Sequence, residues 1–154
     1  MSAKLRPDIT PAGLDRRSEG HLPGWFGMKV AEITPGRLVL TMEIKPDMLA
    51  PNGFLHAAAV VALADTSAGY ATIAHLPAGA ESFTTIELKT NFFATQKTGT
   101  LTCVASEIHA GRNTQVWDAE VSGDNGRRLA LFRCTQMVLW PKPVMSTERP
   151  TNGQ

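Results

Sequence analysis

Only one stretch of this 154-residue chain can form a long helix, and it is apolar almost throughout. Residues 56 to about 75 are dominated by alanine, the residue with the best helix propensity. So few of these side chains are polar that the helix is expected to be buried on nearly every side. Pro77 and Gly79 end it. The rest of the chain must therefore supply a surface broad enough to wrap one hydrophobic rod.

β patterns supply that surface. Residues 28–33 and 37–44 flank Pro35-Gly36 and read as a hairpin. In the second, Leu38, Leu40, Met42 and Ile44 alternate with Val39, Thr41 and Glu43, a period of two with one apolar face. Four more strands are expected over residues 82–93, 99–108, 114–121 and 128–139. Their separators are short, and Asn125-Gly126 is a strong hairpin signal, so the connections are antiparallel. Residues 46–53 read as a loop, and 21–27 as a turn-rich apolar anchor. The order ββ-α-ββββ predicts an α+β domain, one long central helix wrapped by a curved six-stranded antiparallel sheet. That domain spans residues 21–141. Residues 1–20 read as a loose, flexible arm or a short peripheral helix, and 142–154 as a flexible C-terminal tail.

A hydrophobic content of 43% with 19% charged residues marks a globular chain. A formal net charge of +1 gives no strong field toward nucleic acid or an anionic membrane, and neither is expected as a partner. Cys103 and Cys134 match no zinc or CxxC spacing and read as two buried thiols in a reducing compartment. Residues 1–17 lack an apolar signal core. Residues 57–64 are too few to span a bilayer, and Asp65 interrupts them. A soluble cytoplasmic protein is the expectation.

Asp65 is the only charged residue between Asp47 and Glu81. A carboxylate amid so much apolar surface is costly unless it is paired, hydrogen-bonded or put to use. His56, nine residues earlier, opens the helix, where the first N–H groups lack partners and the dipole favours negative charge. His56 could serve as a general base in catalysis, but that field favours a neutral imidazole in a positioning or structural role. His21, His75 and His109 form no ligand pattern with it, so no metal is expected. Trp117 and Phe92 alternate with polar residues and read as core. Arg112, in the turn 110–113, is either a phosphate contact or a solvated arginine at a hairpin tip, with Asn113 and Lys97 as helpers at neighbouring loop tips.

Three segments carry a resemblance: Gly53-Phe-Leu-His56-Ala-Ala with Leu63-Ala-Asp65; Thr85-Ile-Glu-Leu-Lys-Thr-Asn-Phe92; and Ile108-His-Ala-Gly-Arg112-Asn-Thr-Gln-Val-Trp117-Asp with Asp124-Asn-Gly-Arg127. In this order and spacing the chain resembles the hotdog-fold acyl-CoA thioesterases, in the phenylacetate-degradation-type and hydroxybenzoyl-CoA thioesterase branch with the acid on the central helix. The resemblance implies hydrolysis of an acyl-CoA to a carboxylic acid and CoA, with no cofactor beyond the CoA of the substrate. It implies that Asp65 is nucleophile or general base, that the Ala57 backbone N–H polarises the carbonyl, and that Thr85 helps to place water or thioester. It also implies a homodimer, often paired into a homotetramer. Two departures stand out. The amide expected six residues before the histidine is Ala50, with Asn52 close enough to replace it, and the usual His-Gly-Gly reads His56-Ala57-Ala58.

Helix arithmetic adds a constraint. Nine residues of α-helix separate His56 from Asp65 by roughly 13 Å. One thioester cannot meet the N-terminus and the acid of the same helix, so a site shared across a two-fold dimer is expected. Phe54, Leu55, Tyr70 and Phe83 suggest an apolar pocket suited to an aryl or medium-chain acyl group. The alternative function is a non-catalytic acyl-CoA binding module of the same fold.

Overall fold

The computed structural model describes residues 4–142. In chain order the elements are α1 (Pro11–Ser18), α2 (Leu22–Phe26), β1 (Lys29–Thr34), β2 (Arg37–Glu43), α3 (Ala57–Ala74), β3 (Ser82–Phe92), β4 (Thr100–Ala110), β5 (Thr114–Ser122) and β6 (Arg128–Leu139). The expected central helix and all six expected strands are present, with boundaries shifted by no more than two residues. The strands form one antiparallel sheet in the order β1-β2-β4-β5-β6-β3. After β2 the chain crosses the sheet as α3 and returns as β3 at the far edge, where only β6 pairs with it.

Period-two patterning decides the faces. On β5, Gln115, Trp117, Ala119 and Val121 point to the buried side, while Asp118 and Glu120 point outward. There they pair with Arg133 (Nη2–Oδ2 2.7 Å) and Arg128 (2.6 Å). Half-exposed pairs of this kind add little stability. The inner face and α3 enclose the core, in which Leu40, Leu63, Leu101, Trp117 and Phe132 are fully buried. Ala64, Ala68 and Ala71 are also fully buried, and their small side chains bring the helix backbone close to the sheet. By length and composition α3 could cross a bilayer, but here much of its apolar surface lies against β2, β4, β5 and β6.

A buried polar chain fixes the end of α3. Trp117 Nε1 donates to Gln115 Oε1 (2.9 Å), and Gln115 Nε2 donates to the His75 carbonyl (2.9 Å). The Gly36 N–H donates to His75 Nε2 (2.9 Å), which places the ring proton on Nδ1, facing the Ala71 carbonyl at 2.7 Å.

Two expectations need correction, and one pair of alternatives is decided. Residues 11–18 take the helical alternative rather than the loose arm: they form α1, capped by Thr10 Oγ1, which accepts the Gly13 N–H (3.1 Å). Leu14 is fully buried, Ser18 Oγ lies 2.6 Å from the Tyr70 hydroxyl, and Asp15 Oδ1 accepts the Val30 N–H (3.0 Å). The segment 21–27 contains α2 rather than an anchor: Leu22 and Trp25 are exposed, and only Phe26 packs on the core. Phe92 is not core either but 48% exposed, because β3 is an edge strand that α3 covers less than it covers β2, β4, β5 and β6. The flexible tail expected over 142–154 lies, beyond Lys142, outside the described residues.

The burial of Leu14 gives a test of α1. Leu14→Ala should lower unfolding stability by about 2–5 kcal/mol, the usual range for a buried leucine, read by urea titration. A change no larger than the about 0.5 kcal/mol typical of surface positions would mean that α1 is not part of the folded unit.

Candidate active site

The start of α3 is held from both sides. The His56 N–H donates to the Met48 carbonyl (3.0 Å), and a bridge joins Leu49 to Leu55. His56 is the N-cap, and its Nδ1 accepts the Ala58 N–H (3.0 Å), which leaves Nε2 to carry the ring proton. The histidine acceptor is thus used by the helix itself. The Ala57 N–H is exposed and has no hydrogen-bond partner among the described residues, at the positive end of an 18-residue helix. Asn52 Oδ1 accepts the Phe54 N–H (3.2 Å), so the carbonyl of this amide closes a turn. Lys97 Nζ lies 5.3 Å from the centre of the Phe54 ring.

Asp65 sits midway along α3, half-buried. Its Oδ1 is buried with no hydrogen-bond partner among the described residues, and desolvation raises its carboxyl above the ordinary carboxylate range. Cys134 on β6 lies within its electrostatic reach. Burial pushes the Cys134 thiol up to about 12, and the Asp65 charge pushes the same way. Burial likewise pushes Cys103 up to about 12. Both thiols are protonated at neutral pH, and neither is a nucleophile.

Two further buried polar atoms on the inner side of β6 and β3 lack partners among the described residues, Gln136 Oε1 and Thr90 Oγ1. Gln136 Nε2 donates to Cys134 Sγ (3.2 Å), and Gln136 stands in register with Thr85 of β3. Thr85 is exposed on the same face, as are Leu88 and Phe92. Buried polar groups are rarely left unpaired. Three of them on the side of α3 toward β6 and β3, beside an apolar strand edge with no neighbour, mark a surface that lacks its complement.

Arg112 and Asn113 lie at the other end. The Arg112 guanidinium stacks 4.7 Å from the centre of the Trp140 ring, and Asn113 uses its carbonyl to accept the Val138 N–H (2.8 Å). Arg112 shares a cavity of about 600 Å³ with His75 and Gly79, beside the C-terminus of α3. Lys97 instead adjoins Gly53, beside the N-terminus. An 18-residue helix, roughly 27 Å long, separates the two. One chain therefore groups His56, Ala57, Asn52 and Lys97 at one end, Arg112 and Asn113 at the other, and Asp65 between. Cys134, Gln136 and Trp140 were not among the residues expected at the site. The alternation along 132–138 turns Cys134 and Gln136 inward, but no local pattern says that Cys134 lies within the electrostatic reach of Asp65.

Comparison with known proteins places this geometry. The thioesterase superfamily profile matches residues 52–130. The chain is 28% identical to the 1,4-dihydroxy-2-naphthoyl-CoA hydrolase of Listeria monocytogenes, over 71% of its own length and 89% of that protein. It is 32% identical to the acyl-coenzyme A thioesterase PaaI of Escherichia coli K12, over 70% of its own length and 75% of that protein. A mutant form of thioesterase PA1618 from Pseudomonas aeruginosa superposes with a TM-score of 0.83 at 27% identity, covering 88% of this chain and 97% of that one.

Proposed function

Because this chain belongs to the thioesterase superfamily, we propose that it hydrolyses an acyl-CoA thioester to a carboxylic acid and CoA. The observation that carries the reading is the Asp65 carboxylate, whose buried Oδ1 has no partner among the described residues, on a helix whose N-terminal N–H lies too far away to serve the same carbonyl. In the reaction the thioester oxygen accepts the Ala57 N–H of one subunit. Asp65 of the other takes a proton from the attacking water, or attacks the carbonyl itself and is freed by water. The C–S bond breaks, and the CoA sulfur leaves with the electron pair and is then protonated. His56 positions the helix start, Thr85 helps to place the water, and the Asn52 amide N–H₂ stands near the helix start where the family's amide would be.

The edge position of β3 supports a dimer. Two copies of one edge strand related by a two-fold axis pair antiparallel. Such pairing covers Ile86, Leu88 and Phe92, which are 57%, 43% and 48% exposed in the single chain. It also sets the Phe92 end of one strand beside the Ser82 end of the other. Lys97 of one subunit then approaches Arg112 and Asn113 of its partner, and the three residues expected to hold CoA phosphates come together. Dimers of this kind can pair further into tetramers. The two departures at Ala50 and Ala57-Ala58 favour the alternative, a binding module without turnover.

A thiol-release assay over aromatic, short-chain and long-chain acyl-CoAs separates the two. Release of free CoA, fastest with aryl or medium-chain esters, is expected. Calorimetric binding of acyl-CoA with no release from any ester would replace the hydrolase reading with the binding module.

A further inference from the structure

We propose that residues 4–8 form one wall of the cleft that takes the phosphorylated nucleotide end of the acyl-CoA, with Lys4 as a cation beside Arg112. This rests on the acyl-CoA reading above and adds to it a segment that precedes α1, outside the residues matched by the family.

The cavity at the C-terminus of α3 would ordinarily be a poor place for an anion, since the last helix carbonyls carry the negative end of the dipole. Here all four are hydrogen-bonded. Ala71 accepts from His75 Nδ1 (2.7 Å), Thr72 from the His75 N–H (3.1 Å), Ile73 from the Leu76 N–H (3.4 Å) and Ala74 from the Arg6 N–H (2.8 Å). The last of these bonds pins the N-terminal segment across the helix end. Arg6 then neutralises the one carboxylate among the described residues of the cavity wall: its Nε lies 3.2 Å from Asp8 Oδ1 and holds the Asp8 carboxyl below its usual range. Lys4 and Arg112 remain, and among the described residues neither pairs with a carboxylate. The contact with the Trp140 ring places the Arg112 guanidinium over an aromatic face, and none of its N–H groups is hydrogen-bonded among the described residues.

The cavity therefore offers two uncompensated cations beside an apolar wall formed by Leu5, Leu76 and Pro77, within about 600 Å³. That combination suits phosphates attached to a purine nucleoside. Asp65 lies ten residues back along α3 from His75, roughly 15 Å, a span that the pantetheine arm of CoA bridges.

The test compares two thioesters of one acyl group, the CoA ester and the N-acetylcysteamine ester, which lacks the nucleotide. Lys4→Ala should raise the KM of the CoA ester relative to that of the truncated ester by about 5- to 10-fold, as expected for one phosphate contact in solvent. Lys4→Arg should restore the ratio, and added salt should shrink the difference between wild type and Lys4→Ala. An unchanged ratio in Lys4→Ala overturns the proposal even where hydrolysis itself is confirmed. If the wild-type protein releases thiol from no ester, calorimetry with adenosine 3′,5′-bisphosphate decides instead. Weaker binding by Lys4→Ala supports the arm, while equal binding, or none by the wild type, overturns it.

Discussion

Asp65→Asn is expected to lower kcat for thioester hydrolysis by about 10²- to 10⁴-fold, the loss that follows removal of a positioned base, while leaving the protein folded and more stable at neutral pH. The two effects share one cause. Burial raises the Asp65 carboxyl above its ordinary value of 3.8, and its Oδ1 has no compensating donor. The folded chain therefore binds this proton more tightly than the unfolded chain does. Stability from the group is fully present below the unfolded pKa and is lost as pH rises through the folded one. Above its raised folded value the ionised carboxylate is a net cost, which asparagine removes with almost no change of shape. Melting curves should show Asp65→Asn above wild type at pH 7, with the gap closing as pH falls toward 3.8. The acid limb of the wild-type kcat/KM profile should lie above the ordinary carboxylate range, because only the ionised form can act as base or nucleophile. An Asp65→Asn protein with full turnover would remove Asp65 from the chemistry. An acid limb at the ordinary value would show that burial is relieved in the working enzyme.

How much of this was legible in the sequence differs from element to element, for physical reasons. The bounds of α3 could be read because alanine and the stop at Pro77 and Gly79 act locally. Asp65 could be read because a charge without company in an apolar run is costly wherever the run is buried. The strands could be read from alternation, which depends on each strand alone. Their order could not. Nothing within residues 82–92 says that this strand pairs only with β6 and lies at the edge, so Phe92 reads as core and is exposed. Arg112 and Lys97 look alike as cations at loop tips, and only the three-dimensional path of α3 between them shows that one chain keeps them apart. The docking of α1 escaped notice because a single buried leucine, a serine–tyrosine hydrogen bond and one carboxylate on a strand N–H hold it, with no apolar stripe to announce it.

The same separation yields the second large effect. Ala57 is the first residue of α3, a position where proline fits without loss of an internal hydrogen bond. Its N–H has no partner among the described residues, and His56 already holds the extended backbone (φ −65, ψ 132) that a residue before proline adopts. Ala57→Pro thus deletes the N–H proposed to polarise the thioester and disturbs little else. The expected loss in kcat is about 10²- to 10³-fold, the range for one oxyanion donor, with an unchanged melting temperature. Neither this variant nor Asp65→Asn is active alone, but their mixture should be. When the two chains are co-expressed and assort at random, half the dimers carry one of each. In such a dimer one site combines both defects and the other has neither, so about a quarter of wild-type activity returns if each site draws on both subunits. If each site drew both groups from one chain, every site in the mixture would carry one defect and no activity would return. Helix geometry favours the first outcome: Ala57 and Asp65 are eight residues, roughly 12 Å, apart on a straight helix, too far to meet at one carbonyl and in need of a second copy to close the gap.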